Sequence, residues 1–346
     1  MVSQSPYLQW LTSQTQSLYW HDSAVIDEQQ IAFANGAVGV TTNPFLINAS
    51  LRTNDPRFNL VDAESLNGLP ATKRAEMLSQ QIISYFTHAA MPLYSTGKPG
   101  VGYVCGQVNP RYHANEEKMF EDAVRLAEVA ENLVVKLPAT AAGLHVYEKI
   151  LAMGYNAAMT VSFTVSQAIA EGLAAERGLA TAEKNGIKPG LAIAVMMLGR
   201  LDDYLRDIAL DTRAKVTEAD IRLAGIACMK RAYQFFREKH LRAYLMPAGC
   251  RGEYHISSFS GARMIFSIGP AIYDALAQKN EPYYCQVDEP VNPLTINRLL
   301  TMSEFYKAYA FDGLKPEEFL SYGVVNRTLT QYSECGWAML EKYPEY

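Results

Sequence analysis

Eight short apolar runs, most of them rich in β-branched residues, alternate with helix-type patterns between Trp20 and Pro270, and this alternation limits the fold more than any other feature. Strand-like runs fall at residues 21–24, 37–40, 101–108, 133–138, 156–163, 191–198, 244–247 and 263–268. Helical spacing appears at 26–35, 71–88, 116–131, 142–153, 165–177 and 218–239, the last with Thr217 as its N-cap. Strands separated by helices build parallel sheets, and apolar strands suit a sheet covered on both faces. Eight such units in roughly 250 residues is the size of a (β/α)8 barrel. The sequence thus predicts an α/β fold, a (β/α)8 TIM barrel over about residues 17–277. A C-terminal helical extension follows over about 278–346 in the same domain, with helices at 296–308, 316–322 and 328–342. No Ser/Gly-rich linker divides the two, no internal repeat is evident, and 52–69 reads as a polar loop.

Composition narrows the function by exclusion. The 346 residues are 49% hydrophobic, enough for one large core, and carry a formal net charge of −5. Basic and acidic residues are intermixed, so no nucleic-acid partner is expected. No apolar run has membrane-spanning length, and Met1 to Gln9 lack the order of a signal peptide. The five cysteines are scattered, which fits free thiols in a reducing cytoplasm. No metal-type spacing of Cys or His is present, so no metal is expected. A P-loop and a dinucleotide fingerprint are both missing, and no cofactor is expected.

Chemistry collects at the strand ends. Lys136 lies inside the apolar run Leu133-Val-Val-Lys-Leu-Pro138, where its amine should be mostly out of water. Burying an ammonium without a partner is costly, and the usual escape is a lowered pKa. An uncharged, desolvated lysine amine attacks carbonyls and forms a Schiff base. The plainer alternative is an edge-strand lysine with its head in water. Other polar residues cluster at equivalent places: Asp22 ends strand one, Thr42 and Asn43 follow strand two, and Gln107 ends strand three. Thr160 is on strand five, while Arg200 and Arg251 follow strands six and seven. In a barrel those ends converge on one mouth, where active sites lie. Each has a bland reading as well: Asp22 as a helix N-cap, Asn43-Pro44 as turn chemistry, the arginines as solvated loop charges.

The chain resembles the transaldolases. The resemblance rests on Gly39-Val-Thr-Thr-Asn-Pro-Phe-Leu-Ile47, on Val135-Lys-Leu-Pro-Ala-Thr140, and on the stretch from Gly154 through Thr160-Val-Ser-Phe163 to Gln167-Ala168. It continues in Leu198-Gly-Arg200 and around Arg251. It implies class I aldol chemistry on sugar phosphates without a cofactor. By that resemblance Lys136 forms a Schiff base with a ketose phosphate, Asp22 takes the C4 hydroxyl proton, and Asn43 binds the three-carbon unit. Arg200 and Arg251 hold the phosphate. The resemblance suggests a homodimer, with the C-terminal helices as a candidate contact, and a monomer is equally open.

Several inner positions depart from that pattern. Gln107 stands where transaldolases have the glutamate that, with the threonine matching Thr160, holds a proton-relaying water. A glutamine orients water but cannot exchange a proton with it. The fructose 6-phosphate aldolase group also has glutamine there, with a tyrosine at the position of Met197. Ala158 replaces a second asparagine, and Val195 and Gly249 replace serines. Tyr103, Tyr155 and Ser162 are candidates to replace the relay, with packing as their plainer role. Three functions follow in order: a transaldolase, an aldolase releasing the three-carbon ketone, and a non-catalytic sugar-phosphate binder.

Overall fold

A computed structural model describes residues 5–344 except 59, 61–64 and 67. Part of the predicted polar loop, and the first and last residues of the chain, lie outside the described residues. The strands are β1 Leu18–Asp22, β2 Ala37–Thr41, β3 Tyr103–Gln107, β4 Leu133–Pro138, β5 Asn156–Thr160, β6 Ala192–Met197, β7 Tyr244–Ala248 and β8 Ile265–Ile268. They run parallel in one sheet of order β7-β6-β5-β4-β3-β2-β1-β8. A bridge between Leu245 and Met264 joins its two ends into a ring. This is the TIM-type α/β barrel that the alternating pattern predicts, with extra helices after it. Strands β4 and β6 are buried along their whole length, as strands covered on both faces should be.

Register sets the layers inside the ring. Gln107 pairs with Lys136, and Lys136 pairs with Ala158, so these three positions share one level. Thr160, two residues after Ala158, is one layer higher, opposite Pro138. Strand β5 was expected to continue to residue 163 but stops at Thr160. Val161 has φ +58, a left-handed conformation that a β-branched residue adopts only under strain. The buried side chain of Gln167 holds the turn. Its amide donates to the carbonyls of Ala139 and Val161, and its oxygen accepts from the Phe163 and Thr164 N–H groups.

The helices differ from expectation at several points. Helix Leu198–Thr212 begins directly after β6, so Gly199 and Arg200 sit in its first turn and not in a loop. Its buried Leu198, Leu201 and Leu205 follow helical spacing, a signal the sequence reading passed over. The expected helix 218–239 is two helices, Glu218–Ile221 and Ala224–Glu238; Thr217 does cap the first. A helix at Pro6–Gln14, capped by Ser5, and another at Pro44–Leu51 were not expected. Both start with proline just inside the helix, the position where its fixed φ fits and its missing N–H costs nothing.

At the C-terminal end, helices Pro293–Leu299 and Ser303–Tyr309 replace the single one expected at 296–308. The final helical stretch begins earlier than residue 328. It runs from Gly323–Gln331 through a π-helical turn, Tyr332–Trp337, to Ala338–Lys342. That turn packs on the start of helix Pro44–Leu51. A Cβ on Gly336 would lie 2.9 Å from the Phe45 nitrogen, so only glycine allows the approach. The contact brings Gln331 and Tyr332 to the mouth of the barrel.

Candidate active site

Lys136 leaves β4 toward the barrel interior and is 6% exposed. Its Nζ donates to the Thr42 carbonyl at 3.1 Å. Thr42 is held in turn by its own hydroxyl, which donates to the Cys105 carbonyl at 2.7 Å. Burial pushes the Cys105 thiol up to about 12, so this neighbour stays protonated and offers no rival nucleophile.

Asp22 ends β1, half-buried. Its Oδ1 accepts from the Thr41 hydroxyl at 2.7 Å, and Thr41 Oγ1 lies 2.8 Å from the Ser267 hydroxyl on β8. This chain of hydroxyls orients the carboxylate. Sequence reading did not single out Thr41 or Ser267; a lone hydroxyl inside the apolar run of β8 was the available signal. The N-cap alternative for Asp22 fails, because the following helix, Ile26–Ala34, starts after Val25 without a side-chain cap. Asn43 does cap helix Pro44–Leu51, accepting from Leu46 N at 3.0 Å, and it also reaches the cavity. Turn chemistry and site placement coincide at this residue.

Arg200 and Arg251 face the cavity from the ends of β6 and β7. Arg200 Nη1 donates to Gln331 Oε1 at 2.5 Å, and its guanidinium stands 5.6 Å from the Tyr332 ring centre. Arg251 Nε donates to Asp203 Oδ2 at 2.8 Å and its Nη1 to the Gly249 carbonyl at 3.0 Å. Gln331 and Tyr332 come from the C-terminal helices and were not foreseen.

These groups surround a cavity of about 440 Å³ whose walls include Asp22, Asn43, Lys136, Thr160, Arg200 and Arg251. Six of the eight sequence candidates thus meet in one space. Gln107 and Thr42 lie beside Lys136 without lining the cavity: Gln107 is its strand neighbour, and Thr42 supplies the carbonyl that holds the amine. Gln107 Oε1 is buried with no protein partner among the described residues, an acceptor that a water could satisfy. Val195, Met197, Met246 and Ala248 add apolar wall, and Ser267 and Tyr332 also line the space. A larger groove, about 840 Å³, runs along the outer helix Ala71–Tyr94; Lys136 does not line it, nor do its candidate partners.

The three candidates for a substitute relay do not reach this space. Tyr103 opens β3 at the opposite end and packs on Trp20 and Tyr94. Tyr155 immediately precedes β5, also at that end. Ser162 is buried beside Glu171. Desolvation raises the Glu171 carboxyl well above the usual carboxylate range, and the Ser162 hydroxyl only partly offsets it.

Residues 19–315 match the family described as Transaldolase/Fructose-6-phosphate aldolase. Among curated relatives, Transaldolase 2 of Nostoc punctiforme is 28% identical over 219 residues, covering 59% of this chain and 57% of the relative. The transaldolase of Thiobacillus denitrificans is 27% identical over 211 residues, covering 59% and 58%. The transaldolase of Trichodesmium erythraeum is 25% identical over 282 residues, covering 76% and 70%. The chain therefore spans a little under three fifths of the length of the first two.

Proposed function

Because the chain belongs to the transaldolase/fructose-6-phosphate aldolase family, we propose that it is a Schiff-base transferase moving a dihydroxyacetone unit from a ketose phosphate to an aldose phosphate. The observation that carries this reading is the single cavity lined by one buried amine, one carboxylate and two guanidinium groups. Lys136 Nζ adds to the C2 carbonyl of the donor, and loss of water leaves an iminium. Asp22 takes the C4 hydroxyl proton as the C3–C4 bond breaks. The electron pair of that bond flows toward the iminium nitrogen, and an enamine remains on Lys136 as the aldehyde departs. The enamine carbon then attacks the carbonyl of the acceptor, Asp22 returns its proton to the new hydroxyl, and water frees the product from Lys136.

Arg200 and Arg251 hold the phosphate, which guanidinium suits because it is always charged and can bind two oxygens at once. Asn43 bonds the three-carbon unit. Thr160, which both donates and accepts, and Gln107, which accepts at Oε1, orient the water of iminium formation. Gln107 also favours a second reading, an aldolase that releases dihydroxyacetone to water. On either reading the C-terminal helices belong to the same functional unit as the barrel, since Gln331 and Tyr332 touch Arg200.

The test is borohydride reduction in the presence of a panel of ketose phosphates, followed by mass spectrometry. A reduced three-carbon adduct on Lys136 is expected. No adduct with any donor would leave only a sugar-phosphate binder. Turnover with and without an added aldose phosphate then separates transfer from release.

A further inference from the structure

Arg251 is tied to the helix that carries Arg200 by more than proximity. That helix, Leu198–Thr212, bears Arg200, Asp202 and Asp203 within four residues. Asp202 and His255 are both 0% exposed, and His255 Nε2 lies 2.9 Å from Asp202 Oδ2. Asp202 Oδ1 accepts from Gly225 N at 2.9 Å, which fixes the carboxylate. On the other side of the ring, the backbone N–H of Arg251 donates to His255 Nδ1 at 3.1 Å. A backbone N–H can only donate, so Nδ1 carries no proton and the ring proton sits on Nε2, facing Asp202. The side chain of Arg251 returns to the same helix through Asp203. Where the two segments meet, a Cβ on Gly199 would stand 2.4 Å from Arg251 Cγ and 2.6 Å from the Gly249 carbonyl oxygen.

We propose that Asp202 and His255 are a positioning pair that locks the backbone of Arg251 to the Arg200 helix and so sets the spacing of the two guanidinium groups. The inference rests on the reading of Arg200 and Arg251 as a phosphate clamp. Neither member of the pair touches the cavity, so their effect is confined to ligands that use the clamp. The pair also makes the clamp sensitive to a change of one atom. In Asp202→Asn the remaining oxygen keeps Gly225, and the new NH₂ donates to Nε2. The ring proton then moves to Nδ1, where it opposes the Arg251 N–H.

Borohydride trapping on Lys136 is measured against concentration for fructose 6-phosphate and for unphosphorylated dihydroxyacetone. Asp202→Asn and His255→Ala are expected to raise the half-saturating concentration of fructose 6-phosphate about tenfold, with dihydroxyacetone changed less than about twofold. His255→Gln, which can accept from Arg251 and donate to Asp202, is expected to recover most of the loss. Equal loss for both ligands, or no loss for either, overturns the proposal. Arg251→Ala is the control: if it leaves fructose 6-phosphate unaffected, the clamp reading fails and the inference with it. A shifted Arg251→Ala beside unchanged Asp202→Asn and His255→Ala overturns the inference alone. Should the variants not fold, nitrogen NMR of the unaltered protein decides: the Nε2–H tautomer at His255 is expected, and an Nδ1–H or doubly protonated ring overturns the proposal.

Discussion

The two ends of the barrel are built from the same eight strands and serve opposite purposes. At the N-terminal end, Trp20 is fully buried, stacks on Tyr103 at 6.2 Å, and donates its indole N–H to the Gly100 carbonyl. Its ring lies across Gly39, its partner on β2, where a Cβ would approach to 2.6 Å. Asp22, two residues further along the same face of β1, belongs to the opposite, polar end. There the lysine is held by a main-chain carbonyl and the carboxylate by a chain of hydroxyls, and the space between them is left open. Within one strand, a step of two residues separates a side chain that fills volume from one that leaves it free. The difference teaches that the floor supplies stability and tolerates no gap, whereas the mouth sacrifices packing to keep charged groups aimed at a cavity.

That contrast can be broken most sharply at Lys136. Lys136→Met keeps the volume and removes the amine, so turnover and adduct formation should vanish while the denaturation midpoint stays near that of the unaltered protein. Retained turnover would remove the Schiff base from the mechanism; a collapse of stability would erase the division between the two ends.

Trp20→Ala is the converse. It empties a buried aromatic site at the floor and should cost about 3–5 kcal/mol in urea unfolding, with the borohydride adduct on Lys136 still formed by the folded fraction. A stability change under about 1 kcal/mol would show that the floor is not closed by this ring.

His21 tests the wall between the ends. It alternates with Trp20 and Asp22 on β1, is 2% exposed, and burial lowers its pKa to about 4 from 6.5. The unfolded chain therefore binds the proton more readily than the folded one. Stability should be complete above pH 6.5 and fall as the pH drops toward 4, by up to about 3 kcal/mol. Between pH 6.5 and 4 the unaltered protein should lose up to about 3 kcal/mol of urea stability relative to His21→Leu, which lacks the titrating ring; parallel curves would exclude His21 as the cause.

The smallest expected effect lies at the rim. Arg251→Ala should weaken a phosphorylated ligand by about 1.5–3 kcal/mol, the range for a charged hydrogen bond, and leave global stability unchanged. Equal weakening of an unphosphorylated ligand would argue against the phosphate role.

Much of this was legible before any coordinates. Lys136 could be placed because a single charged residue inside an apolar run is conspicuous, and its strand has the expected bounds. Asp22, Asn43, Thr160, Arg200 and Arg251 could be assigned to one mouth because parallel strands point their C-terminal ends the same way. Local signals failed where tertiary packing overrode them. Strand β5 ends at Thr160 because Gln167 pins a strained turn at Val161, which no periodicity reveals. Helix Leu198–Thr212 starts without a side-chain cap, so its onset was hidden behind β6.

The sequence alone determined the layer pattern, the family and the residue types of the candidate reacting groups. Those depend on hydrophobic period and residue type, which are local properties. Only the tertiary structure decided that Thr41 and Ser267 orient Asp22, that Gln331 and Tyr332 meet Arg200, and that His255 joins Arg251 to Asp202. Apart from the local Arg251–His255 bond, these contacts link residues far apart in the chain, and their partners are chosen by strand register and helix packing, quantities that exist only once the ring has closed.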